Sequence, residues 1–554
     1  MSSDKANTAK EQVRSRYGEN IELKAAPAGS PAVRCENGNF IGKMKGDVAV
    51  FLGIPFAAPP VGDLRWQRPV PPEPSDRIFT AYYNGCSPIQ TEWKSERASF
   101  YPQSEDCLYL NVWYVPGPPE EEDGKKAVMV FFHGGSYGWG GTADPLYDGE
   151  TFANYRPDIV LVTVGYRTGI MGFIDFSEVP GGENFKDGPH LGLYDQIEAL
   201  RWVNRNISAF GGDPENVTIF GESAGGGSVS LLPYFPESKG LFKRIIAESG
   251  SGALTFSKEE CLPFTRKLLK ESGAKTMEDL MKLSEEDLKR VNGPINLDNN
   301  FPERDGRVIP YDVYEGYDRG DFSDIDLMIG TNANELNYWI SELGGLIPFA
   351  VSARVMYYRD KKLFFEKDLE AADSFISSLQ GRKIWRISEF YNEILFRGPA
   401  MRQAEGHSKN GGNTYVYYWN EPSAHPFRGS CHAVELAYVF GNTEDAVYTG
   451  KPADKELAHT VMDMWADFAN TGDPSGVDFV WPPYSQESRN TMVLEKESHV
   501  EKDFLDDRRT KLAPLLNYKL NGSYVELPKR IPALLQLEGL FDGIGLTIRS
   551  WMMK

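Results

Sequence analysis

A serine, Ser223, lies between Gly221 and Gly225 in a segment whose residue types suit nucleophilic chemistry. The segment begins at Val217 with β-branched and aromatic residues typical of a strand, and small residues then lead into a helix start. A serine on such a strand-to-helix corner holds its hydroxyl out at the edge of the sheet. The N–H of Ala224 faces the same space at a helix N-terminus, where the dipole favours negative charge. The segment therefore predicts a site for acyl transfer, and a glycine-rich surface loop is the alternative interpretation.

A serine hydroxyl needs a base to remove its proton, and the usual base is a histidine that a carboxylate orients. The chain has seven histidines, and in hydrolases with this kind of corner the chain order is serine, acid, histidine, which excludes His133 and His190. His432 is the best placed of the others, because it lies in a small-residue loop that leads into an apolar segment. We expect His407 to be solvated in a polar loop and His459 to be a surface or packing residue of a helix. From local context alone, a structural role for His432 stays open.

The acid has to be chosen among 79 carboxylates, and only its position relative to a strand distinguishes it. Open α/β sheets keep their active sites at the carboxyl ends of the strands. Glu335 follows an apolar strand predicted over 325–329 and a turn at Gly330, so it is the candidate acid. A solvated loop glutamate is the other interpretation, because glutamate is usually exposed.

A second small-residue segment, Gly134-Gly135-Ser136, follows the apolar strand predicted over 128–132. Glycines in such a loop let backbone N–H groups approach a substrate oxygen. We expect the N–H groups of Gly135 and Ser136 to join that of Ala224 in an oxyanion hole, with Gly134 supporting them. Loss of one such donor typically costs ~3 kcal/mol of barrier. A purely structural turn is the alternative.

Strands that alternate with amphipathic helices predict an α/β protein with a large, mostly parallel central sheet and helices on both faces. The predicted strands lie within 33–56 and at 108–114, 127–132, 159–164, 217–220, 244–247 and 325–329. The spacing of apolar residues predicts a helix over 191–210.

The predicted organisation is a tail or short helix over 1–28, a single catalytic domain over 29–527, and an amphipathic C-terminal tail over 528–554. Helical insertions are expected at about 254–322 and 342–400. They are expected to cover the carboxyl edge of the sheet, because no linker rich in Pro, Gly or Ser isolates them. The C-terminal tail could pack on the body or on a partner subunit.

The formal net charge of −20 and the pI of about 5.0 argue against nucleic acid or an anionic membrane as a partner. No apolar run approaches the ~18 residues of a membrane span. The N-terminus lacks the apolar core of a secretory signal, so we expect a cytoplasmic protein, with export still open if a signal has been removed. The five cysteines form no CxxC pair and no zinc-type Cys/His spacing, and no metal or cofactor is expected.

Six blocks, in the right order, resemble the type-B carboxylesterases, the cholinesterase-like branch of the α/β-hydrolases. Bacterial para-nitrobenzyl-esterase-type members are the most similar, and the match runs from about residue 33 to about residue 525. The blocks are Gly53-Ile54-Pro55-Phe56-Ala57, Glu105-Asp106-Cys107-Leu108-Tyr109-Leu110-Asn111-Val112, Phe210-Gly211-Gly212-Asp213-Pro214, Phe220-Gly221-Glu222-Ser223-Ala224-Gly225, the residues from Gly330 to Glu335, and those from His432 to Gly441.

The resemblance implies an α/β-hydrolase fold and a serine carboxylesterase that cleaves small-molecule esters through an acyl-enzyme, without a cofactor, as a monomer or homodimer. It places the family's nucleophile, acid and base on Ser223, Glu335 and His432. It puts Glu222 beside the histidine, where it contributes negative potential. It also implies two buried structural ion pairs, Arg65–Glu105 and Arg167–Asp195.

The chain departs from the family pattern at three places. Ser136 stands where the family has a third oxyanion glycine, and its Cβ narrows the hole. The segment 97–104, between Cys86 and Cys107, lacks the tryptophan of choline-specific members, so choline-ester specificity is not expected. Secreted members oxidise that cysteine pair, which would add about 3 kcal/mol of stability; an intracellular setting would leave it open.

The expected activity is hydrolysis of broad or xenobiotic-type carboxylic esters. A dedicated esterase for one natural-product ester and a choline esterase are alternatives within the enzymes. From another class, the family also contains non-catalytic adhesion or scaffold members such as neuroligins, which usually lose the nucleophile. The presence of all three triad residue types favours the enzyme.

Overall fold

The computed structural model describes residues 18–90, 101–117, 125–295, 301–342, 345–361, 364–476 and 479–516. Its strands are β1 Glu22–Leu23, β2 Ala32–Cys35, β3 Gly38–Ile41, β4 Lys43–Lys45, β5 Val48–Pro55, β6 Ile78–Thr80, β7 Tyr109–Tyr114, β8 Lys126–Phe132, β9 Ile159–Val164, β10 Gly212–Glu222, β11 Arg244–Glu248, β12 Asp326–Asn332, β13 Thr414–Trp419, β14 Thr491–Leu494 and β15 His499–Glu501.

The α-helices follow the strands in alternation over much of the chain. They are α1 Glu150–Tyr155, α2 Gly169–Gly172, α3 Leu191–Asn206, α4 Ala224–Leu231, α5 Lys258–Ser272, α6 Met277–Met281, α7 Glu285–Ile295, α8 Glu315–Arg319, α9 Trp339–Glu342, α10 Leu346–Asp360, α11 Glu366–Ser378, α12 Lys383–Tyr391, α13 Gly398–Lys409, α14 Leu436–Val439, α15 Lys455–Thr471 and α16 Asp506–Leu512. A π-helical turn, Asn392–Arg397, joins α12 to α13.

Eleven of the described strands form one central sheet, in the order β15-β14-β13-β12-β11-β10-β8-β9-β7-β5-β4. The strands from β14 through β9 pair in parallel. The edges, β15 on one side and β7, β5 and β4 on the other, pair antiparallel. The large, mostly parallel sheet that the sequence predicts is confirmed. A smaller sheet has the order β1-β6-β3-β2.

The central strands are apolar along their whole length because helices cover both faces of the sheet. Alternate residues of β8 enter different cores: Val128 and Val130 belong to one buried cluster, and Met129 and Phe131 to another. Helix α3 packs Trp202 and its neighbours into the first cluster, whereas α15 packs into the second. The carboxyl ends of β8, β10, β11 and β12 thus meet at one edge between two helical layers.

The structure differs from the sequence predictions mainly at element boundaries. The helix predicted over 191–210 is α-helical to Asn206 and continues as a 3-10 turn, Ile207–Phe210. In the predicted N-terminal tail, residues 18–28 are described and include β1, which pairs with β6. The C-terminal tail predicted over 528–554 lies outside the described residues.

The insertion predicted over 342–400 is helical and has a core of its own. This third buried cluster includes Phe349, Phe375, Ile387 and Phe390, contributed by helices α10 to α12. Two of its members, Leu336 and Ile340, come from the segment that follows β12, so the insertion packs directly beside the end of that strand. In the described part of the chain no helix is both long and apolar enough to cross a membrane.

Candidate active site

Ser223 occupies a strained corner between β10 and α4, with φ 57° and ψ −117°. Positive φ is unfavourable for a residue with a side chain, and the surrounding packing has to hold it there. The flanking glycines make the corner possible, because a Cβ on Gly225 would lie 1.9 Å from the carbonyl oxygen of Phe132, and one on Gly221 would lie 2.6 Å from the same atom. The N–H of Ser223 is fixed by a 2.8 Å hydrogen bond to the carbonyl oxygen of Glu248.

The loop after β8 is held in an unusual conformation beside this corner. Gly135, Ser136 and Tyr137 have φ values of 105°, 51° and 57°. A Cβ on Gly135 would meet the carbonyl oxygen of Trp139 at 2.2 Å, which is why this position requires glycine. The carbonyl oxygen of Tyr137 accepts a 2.6 Å hydrogen bond from the N–H of Gly169. Two successive non-glycine residues at positive φ are therefore stabilised by backbone contacts.

The predicted oxyanion donors lie at the corner. An added Cβ on Gly134 would stand 3.1 Å from Cβ of Ser223, so the loop packs against Ser223. Within the described ranges, the backbone N–H groups of Gly135, Ser136 and Ala224 donate to no backbone oxygen. Buried N–H groups are normally paired, so donors left open beside a serine are available to a substrate oxygen.

His432 and Glu335 form a short, buried hydrogen bond. Nδ1 of His432 lies 2.6 Å from Oε2 of Glu335, whose other oxygen accepts the N–H of Asn332 at 2.7 Å. His432 is 6% exposed and Glu335 is fully buried. A carboxylate on Nδ1 favours the tautomer whose Nε2 can accept a proton. The solvated-loop interpretation of Glu335 is therefore excluded.

The second ring nitrogen of His432 points at the corner. Nε2 lies 3.0 Å from Oε1 of Glu222, the residue that precedes Ser223. A Cβ on Gly134 would be 2.7 Å from Oε2 of Glu222, so this carboxylate fills the space between the imidazole and the oxyanion loop. The structure thus brings the imidazole, two carboxylates, the serine and the open N–H groups into one site.

Aromatic rings from the segments after β12 enclose the imidazole. Trp339 stacks on His432 with 5.6 Å between ring centroids and 26° between planes. Phe396 and Tyr338 lie 5.1 and 6.0 Å from it. Only Phe396 belongs to the insertion predicted over 342–400, whereas Tyr338 and Trp339 precede it. Sequence reasoning identified none of the three rings, because only folding decides which aromatic residues reach the site. Apolar walls exclude water and strengthen the electrostatic interactions inside.

Burial and neighbouring charges act in opposite directions on His432. Burial lowers the pKa of this imidazole, but the charges of Glu222 and Glu335 and the hydrogen bond that Nδ1 donates to Glu335 outweigh burial and raise the pKa to about 9. Two further buried carboxyl groups, Glu248 and Glu435, lie close by and were not identified from the sequence. Burial and the charge of Glu335 raise the pKa of Glu435 to about 7.

His407 and His459, to which the sequence analysis gave non-catalytic roles, lie in different surroundings from His432. The prediction that His407 is solvated is wrong: the residue is 2% exposed in α13, and its ring nitrogens contact Oγ1 of Thr414 and the carbonyl oxygen of Phe322. The polar residues around it in sequence did not reveal that β13 packs on its face of the helix. His459 lies exposed on α15 and stacks on Tyr155 at 4.2 Å, as expected for a surface residue.

The two structural ion pairs expected from the resemblance are confirmed. Arg65 and Glu105 are joined by two hydrogen bonds of 2.6 Å, and Arg167 holds Asp195 through Nε and Nη2 at 2.8 and 2.7 Å. None of the five cysteines forms a disulfide in the structure, Cys86 and Cys107 included. In the described residues no group of His, Cys, Asp and Glu side chains could hold a metal ion.

Comparisons with known proteins agree with this geometry. A model of the carboxylesterase family matches residues 29–512. The chain is 35% identical to para-nitrobenzyl esterase of Bacillus subtilis, over 85% of the chain and 97% of that protein. It is 32% identical to liver carboxylesterase 1F of Rattus norvegicus, over 84% and 91%. Among solved structures, carboxylesterase EST55 of Geobacillus stearothermophilus superposes with a TM-score of 0.77 at 31% identity, covering 87% of this chain and 99% of that one.

Proposed function

The chain belongs to the carboxylesterase family and hydrolyses carboxylic esters as a serine hydrolase, and we propose that Ser223, Glu335 and His432 are its catalytic triad. One observation supports this assignment above the others. A buried imidazole is hydrogen-bonded to a buried carboxylate at 2.6 Å, and its other nitrogen lies 3.0 Å from the carboxylate of Glu222, the residue next to the strained Ser223. Unrelated hydrolases are recognised by this arrangement of roles rather than by sequence position.

In the first half of the reaction, Oγ of Ser223 attacks the ester carbonyl carbon as Nε2 of His432 takes its proton. The carbonyl oxygen becomes an oxyanion, which accepts hydrogen bonds from the N–H groups of Gly135, Ser136 and Ala224. Glu335 holds the imidazole through Nδ1 and stabilises the positive charge that develops on it. The alcohol then leaves with the proton from Nε2, and the acyl group stays on the serine.

In the second half, water replaces the alcohol. Nε2 of His432 removes a proton from water, the hydroxide attacks the acyl-enzyme, and the same N–H groups hold the second oxyanion. Collapse returns the proton to Oγ of Ser223 and releases the acid. No metal or cofactor takes part in these steps.

We propose that Glu222 stabilises the protonated form of His432 in the free enzyme. Its contact with Nε2 favours the imidazolium, so the free enzyme has to lose this proton, and the contact has to loosen, before His432 can act as a base. Once the serine proton has moved to Nε2, the same carboxylate stabilises the ion pair that results. Glu222 therefore lowers activity at low pH, because it keeps His432 protonated, but it stabilises the imidazolium that forms in the tetrahedral intermediate.

For the substrates, we propose broad or xenobiotic-type esters of small molecules. The relatives include a para-nitrobenzyl esterase and a liver carboxylesterase, and the imidazole is enclosed by aromatic rings without a charged alcohol-binding group among the contacts described. A dedicated esterase for one natural-product ester is the second candidate. A panel of esters that varies acyl length and alcohol bulk separates the two, because a dedicated enzyme would show one strong preference.

We further propose a single catalytic domain over 29–527, acting as a monomer or homodimer in the cytoplasm. The continuity of the central sheet supports one domain, since its strands come from both ends of the described chain, from Lys43 to Glu501. The absence of a disulfide among the five cysteines supports a reducing compartment. Light scattering at several concentrations measures the oligomeric state.

Replacement of the nucleophile tests the proposed triad. Ser223→Ala is expected to leave the fold intact and to reduce hydrolysis of short-chain p-nitrophenyl esters by on the order of 10⁴-fold or more. Circular dichroism and thermal unfolding of the variant serve as the control for folding. Turnover close to that of the unmodified enzyme in a folded variant would overturn the assignment.

A further inference from the structure

Two glutamates lie directly opposite each other beneath the imidazole. Glu222 ends β10 and Glu248 ends β11, and the two are paired in the parallel register of these strands. Paired residues on neighbouring parallel strands point to the same face, with backbones about 4.8 Å apart. Glu222 is 3% exposed and Glu248 is fully buried, so water screens neither carboxyl group.

The row of register partners that begins with Glu222 and Glu248 continues onto the next two strands of the sheet. Gly330 on β12 is the register partner of Glu248, and Tyr417 on β13 is the partner of Gly330. Because Gly330 has no side chain, the ring of Tyr417 lies over it, within 2.4 Å of where a Cβ would stand. The buried ring of Tyr417 thus occupies the position beside Glu248 on this side, and the residue there is not a cation.

The hydrogen bonds of Glu248 do not fit an ionised carboxylate. Oε1 accepts one hydrogen bond, 2.6 Å long, from Nε1 of Trp465. Oε2 has no hydrogen-bond partner within the described part of the chain. A buried charge with a single neutral donor costs several kcal/mol.

Other buried carboxylates of this protein have much better partners. Glu105 receives two hydrogen bonds from the Arg65 guanidinium, and Asp195 receives three from Arg167. Glu335 at the active site has the imidazole and a backbone N–H. Compared with these groups, Glu248 is in surroundings that suit a neutral acid, with one oxygen accepting from Trp465.

The charged and titratable groups that face Glu248 are mostly acidic. They are Glu222 on β10, Glu435 at the start of α14, and Tyr417 on β13, while Glu335 and His432 lie beyond them. Glu435 accepts a hydrogen bond from Nδ2 of Asn332 and a 3.5 Å one from Oγ of Ser249. The imidazole of His432 is a cation whose charge acts on Glu435, and its two nitrogens already face Glu335 and Glu222.

We propose that Glu248 keeps a proton at neutral pH and acts as a positioning residue, a neutral acid that adds no further negative charge to the carboxylates already acting on His432. Burial, together with the charge of Glu435 and then of Glu222, raises the pKa of Glu248 well above its ordinary value, which agrees with the geometry. The consequence for catalysis rests on the proposed role of His432 as the base. An additional carboxylate charge would hold the imidazolium more tightly and delay its action as a base.

Infrared spectroscopy observes the proton directly and does not depend on activity. At neutral pH, the unmodified protein is expected to show the carbonyl stretch of a protonated carboxylic acid that Glu248→Gln lacks. The matched control is Glu393→Gln, since Glu393 is equally buried but contacts Arg397 and Arg508 and is expected to contribute no such band. An unchanged band in Glu248→Gln would overturn the proposal.

Trp465→Phe keeps the test valid if Glu248→Gln does not fold. Trp465 donates to the carbonyl side of the proposed acid, so loss of this donor is expected to move the carboxylic-acid band to higher frequency. If no carboxylic-acid band moves in Trp465→Phe, a neutral Glu248 is contradicted.

The pH profile distinguishes the proposed charge state from a merely structural role. Glu248→Gln is expected to leave the acid-limb midpoint of kcat/KM in place, because no charge is removed. Glu435→Gln, an equally buried neighbour that carries a negative charge at the midpoint, is expected to lower it. A fall of about one pH unit or more in Glu248→Gln would show that the native residue is ionised. A profile without an acid limb would instead contradict the role of His432, while the infrared result would still stand.

The pH dependence of folding stability tests the protonation of Glu248 independently of activity. A folded state that keeps a proton which the unfolded chain releases loses stability as pH rises above the ordinary glutamate pKa. Glu248→Gln removes this dependence, so its melting temperature relative to the unmodified protein is expected to be higher at about pH 8 than at about pH 5. The opposite order would contradict the proposal.

Discussion

At the scale of single residues, the chemistry of the site depends on how carboxylates are distributed around one imidazole. Glu335 contacts Nδ1 of His432, Glu222 contacts Nε2, and both contacts are shielded from water. Burial lowers the pKa of the imidazole, and the two carboxylates reverse that effect and bring it to about 9. The base of the proposed mechanism is therefore protonated in the free enzyme at neutral pH.

This charge state predicts the pH dependence of the enzyme. A raised pKa means that His432 becomes a competent base only as pH rises through its own pKa, so kcat/KM is expected to increase with pH and to level off above about 9. Glu222→Gln removes one of the two charges and is expected to shift the midpoint down by about one unit. Initial rates with a p-nitrophenyl ester, corrected for hydrolysis without enzyme, measure both profiles.

The control for the pH profile is a carboxylate far from the site. Glu286→Gln changes a side chain that is 85% exposed on α7 and should leave the midpoint where it is. A profile of Glu222→Gln that coincides with that of the unmodified enzyme would mean that Glu222 does not set the charge of His432.

Sequence reasoning could name candidate residues where a residue type has a fixed place relative to a strand end. Ser223 follows β10 directly, Glu335 lies three residues after the end of β12, and the known chain order left few histidines to choose from. Glu248 also ends a strand, but no sequence pattern separates a buried glutamate from the other carboxylates. The error for His407 has the same origin, since local polarity does not report which helix face β13 covers.

At the scale of secondary structure, the site depends on a close approach between α4 and the end of β8. Gly225 lies so near the carbonyl oxygen of Phe132 that no side chain fits. The same approach brings the proposed oxyanion loop, which begins directly after β8, next to the corner. The G-x-S-x-G spacing is therefore a packing requirement as well as a conformational one.

A methyl group at this contact is expected to separate the two elements. Gly225→Ala should lower the free energy of unfolding by about 3 kcal/mol, since the new Cβ overlaps backbone that cannot move far. It should also reduce kcat strongly, because the N–H of Ala224 moves away from the oxyanion loop. Urea unfolding and ester hydrolysis measure the two effects.

Gly117→Ala is the matched control, because an added Cβ there meets nothing within 4 Å and the residue does not have positive φ. It should change neither stability nor rate appreciably. Equal stability of Gly225→Ala and Gly117→Ala would contradict the packing argument.

Elements were predicted well from sequence where they are long and buried on both faces. The apolar runs of β8, β9 and β11 leave little doubt about their type, and the prediction for each is within two residues of the structure. The start of β10 at Gly212 was missed, because its first residues are polar and pair only at a shifted register with β8. Such boundaries depend on neighbouring strands rather than on local sequence.

At the scale of the whole molecule, buried ion pairs connect the sheet to the segments that surround it. Arg65 binds Glu105 and also donates to the carbonyl oxygens of Met281, the last residue of α6, and of Leu283, two residues later. The guanidinium of Arg65 thus connects the N-terminal part of the chain to the insertion at about 254–322, more than 200 residues away. The fold class could be predicted from alternating elements and the pair Arg65–Glu105 was expected through the resemblance, but the contacts of Arg65 with Met281 and Leu283 were not predicted.

Removal of one partner from this pair is expected to destabilise the protein as a whole. Glu105→Ala leaves the guanidinium of Arg65 buried without its carboxylate and should lower the free energy of unfolding by about 3–5 kcal/mol. Asp76→Ala, which breaks the exposed contact to Arg34, should change it little. Thermal or urea unfolding compares the two variants, and similar effects in both would contradict the structural role of the buried pair.

The central claim is that Ser223 is the nucleophile of this hydrolase, and covalent labelling tests it most directly. An organophosphonate with a p-nitrophenyl leaving group is expected to release one equivalent of p-nitrophenol and to abolish ester hydrolysis. Peptide mass spectrometry is then expected to find the phosphonyl group on Ser223, and His432→Ala should slow the labelling. A folded, active enzyme that stays unlabelled at Ser223, or that carries the label on another residue, would contradict the account.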